Sequence, residues 1–262
     1  MKPFRLTALV LALALCSGCG APAPSPTPTP SAPPETSAAE AAVPFTLPRT
    51  AGSLHPILST DKVNTALAGL MWEGLFALDQ TFTPQPRLCQ HYSVSEDGLT
   101  WTFSLRSGVA FSDGSPLTAA DVTASLELSR SPQSRFAGRL NGVSGISAQD
   151  GAVVLTLSAP NAALPALLDI PIVKAGSDEV PPGTGPYRFT ETDAGAALTA
   201  RADWWQHLSL PAETIPLVTI QAADDLISAF DTEAISLVTA DLTGTNALGF
   251  AGDHAVWDYS TT

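Results

Sequence analysis

The stretch SEDGLTWTFSLRSGVAFSDGSPLTAADV, Ser95 to Val122, leaves this chain few ways to fold. Within it Leu99, Trp101, Phe103 and Leu105 alternate with Thr100, Thr102, Ser104 and Arg106. That period of two belongs to a strand with one face in a core. Asp97-Gly98 reads as the turn of a hairpin returning to Tyr92–Ser95, because glycine tolerates positive φ. Asp113-Gly114-Ser115-Pro116 makes a second turn. Thr118 then caps a helix, with Asp121 three residues on completing a capping box. Both Asp-Gly pairs are scaffold punctuation, not chemistry.

The neighbouring segments follow the same logic. Phe45–Arg49 reads as a short strand, and Ala51 to Pro56 as a turn-forming loop. Val63, Leu67, Leu70 and Met71 recur at helical spacing, which predicts a helix over Thr60–Gly74. Leu75–Leu78 and the segment through Leu88 read as strands broken by Pro84 and Pro86. A further hairpin joins Gly142–Ala148 to Val153, Leu155 and Leu157 through Asp150-Gly151. Asn161–Asp169 reads as a short helix interrupted by Pro165. Gly183 to Phe189 turns into a strand that pairs with Ala196–Ala202. Thr214–Ile220 reads as a strand, Ala223–Phe230 as a helix and Ala234–Thr239 as a strand. Strands and helices intermix, which predicts an α/β or α+β fold.

The N-terminus is of a different kind. Lys2 and Arg5 precede the apolar run Leu6–Leu15, which is shorter than the roughly 20 residues a membrane span needs. Cys16-Ser17-Gly18-Cys19 then resembles a bacterial lipobox, in which Cys19 takes the lipid and becomes the new N-terminus. Ser17 and Gly18 match that pattern; Cys16 departs from it. The same residues spell C-x-x-C, but a metal or redox site needs a folded neighbourhood to hold both sulfurs. The expectation is a signal peptide over 1–18 and a Pro/Ala/Ser/Thr-rich tether over 19–44, too poor in large apolar residues to fold. Together they place the body of the protein on the outer face of a membrane, lipid-anchored. Cys89 is then the only cysteine besides the lipidated one, so no internal disulfide is expected.

Charge and motif spacing exclude several functions. The formal net charge of −13 disfavours nucleic acid, whose phosphates would be repelled. A hydrolase elbow of the G-x-S-x-G type is missing, since Gly142-Val143-Ser144-Gly145 is one residue short. His55, His91, His207 and His254 are scattered without metal-ligand spacing. No catalytic residue, metal or cofactor is expected, and a secreted hydrolase is the weaker rival reading.

NTALAGLMWEGLFALD, VSEDGLTWTFSLRSGVAFSDGSPLTAADVTASL, GTGPYRF and the later DWW resemble the extracellular solute-binding proteins of family 5. The resemblance runs from Phe45 to the C-terminus. It implies a type II periplasmic-binding-protein clamshell that captures peptides for the permease of an ATP-binding-cassette importer, as a monomer. It also implies that Ser59, Thr60, Asp61 and Lys62 face the ligand cleft and that Phe136 lies near the ligand. The plainer alternatives are a helix cap at Ser59 or Thr60 and a packed core Phe136. Cys89-Gln90-His91-Tyr92 departs from the family's usual Ala-Glu-Ser-Trp. Family members are also longer. The expectation is lobe I over 45–240, the start of a crossing over 241–262, and no second lobe. A lone lobe is expected to bind peptides negligibly, and a truncated, inactive gene fragment is the alternative reading.

Overall fold

A computed structural model describes residues 45–177, 179–222 and 225–238. The expected lipidation site Cys19, the signal and tether segments and the 241–262 crossing lie outside them. The chain enters on β1 (Leu47–Arg49), loops to α1 (Lys62–Ala66) and α2 (Ala68–Met71), and makes a small ribbon from β2 (Phe76–Leu78) and β3 (Pro84–Pro86). Two prolines are tolerated in β3 because its only partner is β2, which leaves the other edge unpaired.

Next come β4 (Cys89–Val94), β5 (Thr100–Leu105), α3 (Ala119–Ser129), β6 (Val143–Gln149) and β7 (Ala152–Leu157). The four strands form an antiparallel sheet in the order β4-β5-β7-β6. Its register follows the alternation: Trp101 stands opposite Leu155 and Phe103 opposite Val153, all four buried. Leu99 and Leu105 are partly buried and pack on the same core. Phe76 meets the Phe103 ring edge-on at 6.0 Å, a favoured aromatic geometry. The capping box at Thr118 and Asp121 is present, with Thr118 N donating to Asp121 Oδ2 at 2.9 Å.

The second sheet has the order β1-β10-β9-β8, from β8 (Tyr187–Thr192), β9 (Gly195–Ala200) and β10 (Thr214–Thr219). β8, β9 and β10 are antiparallel neighbours, whereas β1 and β10 run parallel, with Leu47 opposite Leu217. One apolar cluster joins both sheets. A smaller one, Val63, Ile220, Leu226 and Ile235, packs α4 (Leu226–Asp231) near the end of β10. No helix among the described residues is long and apolar enough to cross a membrane.

Three expectations are corrected. The helix predicted over Thr60–Gly74 is two short helices ending at Met71, and Trp72 is extended. Tertiary partners override the helical spacing there: Met71 O accepts from Gly185 N, and Trp72 Nε1 donates to Pro181 O, each at 2.9 Å. The helix predicted over Asn161–Asp169 is a single 3-10 turn, Leu164–Leu167, with Pro165 in its first turn. The described residues 234–238 form no strand, although Ser236 N donates to Thr46 O beside β1 at 2.9 Å.

Candidate ligand-binding site

In sheets with parallel strands, ligands sit beyond the carboxyl ends of those strands, where the connecting loops diverge. Here the parallel pair β1/β10 ends at Arg49 and Thr219. The loops that follow enclose a cavity of about 460 Å3, lined by Thr50, Gly52, Asp61, Lys62, Gln221 and Ala222 among others. Two of the four loop residues singled out in the sequence, Asp61 and Lys62, therefore line a cavity at that edge.

A side-chain network holds this rim. Asp61 is the N-cap of α1: its Oδ1 accepts from Val63 N at 2.9 Å and Asn64 N at 3.1 Å, and its Oδ2 accepts from the Thr50 hydroxyl. Asn64, almost wholly buried, accepts from Thr50 N through Oδ1 and donates through Nδ2 to Gly52 O, both at 2.9 Å. Asp61 thus shapes the rim, with both carboxylate oxygens already engaged. Ser59 is buried, and its Oγ accepts from Asp61 N at 3.3 Å. Thr60 and Lys62 are exposed. Lys62 forms no ion pair among the described residues, so it supplies an uncommitted cation at the cavity.

Phe136 does not line this cavity. It is buried, with the Arg135 and Arg139 guanidinium groups over its ring at 4.6 and 5.0 Å. Its segment nevertheless abuts the same loop, since Arg135 N donates to Ile57 O at 3.0 Å. Thr50, Asn64 and Gln221 escaped the sequence reading. A polar residue on the third position of an apolar-spaced helix was the one available signal for Asn64.

Glu73, in the Glu-Gly-Leu run, is partly buried away from the cavity. It accepts from Trp205 Nε1 at 2.7 Å and Gln206 Nε2 at 3.2 Å, and burial pushes its carboxyl upward despite those donors. Cys89 is a buried free thiol, pushed up to about 11 by burial. Neither group reaches the cavity.

The chain has counterparts among known proteins. The family model for the bacterial extracellular solute-binding proteins, family 5, middle region, matches residues 83–258. The chain belongs to that family. Glutathione-binding protein GsiB of Salmonella typhi is 33% identical over 172 residues, covering 59% of this chain and 33% of that protein. A probable peptide ABC transporter periplasmic-binding protein, y4tO of Sinorhizobium fredii, is 32% identical over 160 residues, covering 55% of this chain and 30% of that one. Among solved structures, NikA from Brucella suis in complex with Fe(III)-EDTA superposes with a TM-score of 0.61 at 25% identity. That match covers 74% of this chain and 42% of NikA. The chain spans about a third of the length of the curated relatives it matches. Its mixed α/β fold is that of part of a type II periplasmic-binding protein.

Proposed function

We propose that this chain forms one wall of the capture site of an extracytoplasmic solute-binding protein, taking di- or oligopeptides for the permease of an ATP-binding-cassette importer. The observation that carries the reading is the cavity beyond the parallel pair β1/β10, with exposed Thr60 beside it and uncommitted Lys62 on its rim. A peptide is held in such a place through its main chain, with side chains directed into roomy surroundings. Lys62 would meet the terminal carboxylate, and Arg135, stacked on Phe136, would add a second cation beside the loop. Two matched relatives carry names that point to glutathione and to peptides, which supports this ligand class over others.

Binding to a single wall is weak, because the cost of immobilising a ligand stays while half of the contacts are missing. Titration of the 15N-labelled chain with glutathione and a tripeptide pool tests the site at millimolar concentration. Saturable shifts confined to residues 50–52, 60–63 and 221–222, diminished in Lys62→Ala, are expected. Saturable shifts elsewhere, or none, would overturn the assignment.

The same reading holds the mature protein as a monomer on the outer face of the membrane through lipid on Cys19, at the end of the 19–44 tether. Two or more acyl chains make such anchoring stable, where one is marginal. Intact-mass measurement should find the lipid mass on Cys19. An unmodified Cys19 in membrane-bound mature protein would sink this part.

A further inference from the structure

The loop from Thr50 to Asp61 contributes residues to two cavities. The second, of about 540 Å3, lies between the 53–58 turn, α3 and the strap at residues 173–177. That volume is in the range of small-molecule sites. Leu58, Ala124, Leu128 and Val173 give it an apolar lining.

His55 gives it a directed donor. The residue is 5% exposed and lines the cavity. Its Nδ1 accepts from the backbone N–H groups of Ile57 at 3.1 Å and Leu58 at 3.3 Å. With Nδ1 acting as the acceptor, the neutral ring carries its proton on Nε2. Nε2 has no partner among the described residues. Nε2 keeps access to solvent, which leaves it free to donate to a ligand seated in the cavity. The other polar groups here are engaged: Ser125 Oγ donates to Asp121 O at 2.8 Å and accepts from Val173 N at 3.0 Å, and Ser53 Oγ accepts from His55 N at 3.1 Å.

Charge narrows the ligand further. The Lys174 ammonium is paired with Asp113, which leaves Glu179 as the charge without an ion pair among the described lining residues. An anion would meet that carboxylate and a neutral imidazole, so an uncharged acceptor fits better.

We propose that this cavity is a second ligand site, distinct from the one beside Lys62, for a small uncharged solute whose oxygen accepts from His55 Nε2 and whose apolar body rests on Leu58, Leu128 and Val173. The ligand class is a neutral amide or alcohol of modest size. It goes beyond the capture reading and stands whether or not peptides bind beside Lys62.

N-acetyl-leucinamide is the probe. Titrated into the 15N-labelled 262-residue chain, it should move the His55 Nε2 resonance and the amides of Leu58 and Val173 in a saturable way at millimolar concentration. His55→Asp keeps an oxygen that accepts from the same turn but brings no donor to the cavity. It should weaken binding about tenfold, the size of one lost hydrogen bond. Ala124→Trp, at an exposed position of α3, should fill the space and abolish binding in a folded chain. Equal affinity in His55→Asp and the native chain would overturn the proposal. So would shifts that do not saturate, or shifts centred on Thr50, Lys62 and Gln221. Glutathione shifts at Thr50, Gly52, Asp61, Lys62 and Gln221 are read separately, so either site can fail alone.

Discussion

Arg201 Nη2 donates to the carbonyl oxygen of Phe111 at 3.1 Å, joining positions 90 residues apart. The same guanidinium serves Ala110 O, Gly183 O and Gly185 O, and meets Asp203 at its outer side. Arg201 is buried at the end of β9, so its planar fork ties the second sheet to the turn before α3. Lysine keeps the charge but cannot reach four carbonyls at once. Arg201→Lys should therefore cost about 3 kcal/mol in urea unfolding, the scale of a broken buried charge site. Asp203 is largely exposed, and Asp203→Asn should cost about 1 kcal/mol or less. Equal losses for the two would contradict this division.

Gly183 and Gly69 make a sharper contrast. A Cβ on Gly183 would overlap the Met71 carbonyl oxygen and press on the Trp72 ring, neither of which can retreat. Gly183→Ala should cost about 3 kcal/mol, the upper range for overpacking. A Cβ on Gly69, inside α2, meets nothing within 4 Å. Gly69→Ala should stabilise by about 0.5–1 kcal/mol, the helical preference for alanine. Thermal melts of the two variants should move in opposite directions.

Trp101 fills the core of the first sheet, yet its Nε1 is buried without an acceptor. Trp101→Ala should lose about 3–5 kcal/mol through the cavity it opens. Trp101→Phe removes the unsatisfied donor along with some volume, and the two effects offset to within about 1 kcal/mol. Thr102→Ser, on the opposite face, should be nearly silent. A Trp101→Phe loss matching that of Trp101→Ala would mean the indole N–H is satisfied after all.

The pH response should centre on His55. Burial holds its pKa below the ordinary 6.5 by disfavouring the imidazolium. The unfolded chain thus binds the proton more readily, and stability rises with pH across this window. It should be lost progressively as pH falls through 6.5 and below. Lys174 and Glu179 on the cavity lining, and Arg135 beside Ile57, are the charged groups around it. Asp79 and Asp113, hydrogen-bonded down to about 2, stay ionised over the same interval. The urea midpoint between pH 7.5 and 5 should drop in the native chain and flatten in His55→Asn. Parallel curves would assign the pH dependence elsewhere.

What could be read from the sequence was what short-range chemistry decides. The Asp97-Gly98 hairpin, the Thr118–Asp121 box and the β6/β7 pairing each depend on residues close together in the chain, and all three are present. The helix over Thr60–Gly74 was misread because its end is set by Gly185 and Pro181, more than 100 positions away. The candidate cavity was half legible for the same reason. Asp61 and Lys62 could be singled out, but Gln221 and Ala222 join them only through the parallel register of β1 and β10. Arg201 carried no local signal at all: its partners are backbone carbonyls, which every residue type presents.

The Asn64 side chain binds the backbone of Thr50 and Gly52. The approach path beside β1 is consequently at rest before a solute arrives. Its ordering entropy is spent when the chain folds, and the encounter proceeds against a stiff surface that has no search of its own to complete. On the proposed reading, such a wall would discriminate by shape at first touch. Replacing Asn64 would soften that discrimination first, letting unlike solutes settle equally well before the cavity itself was lost.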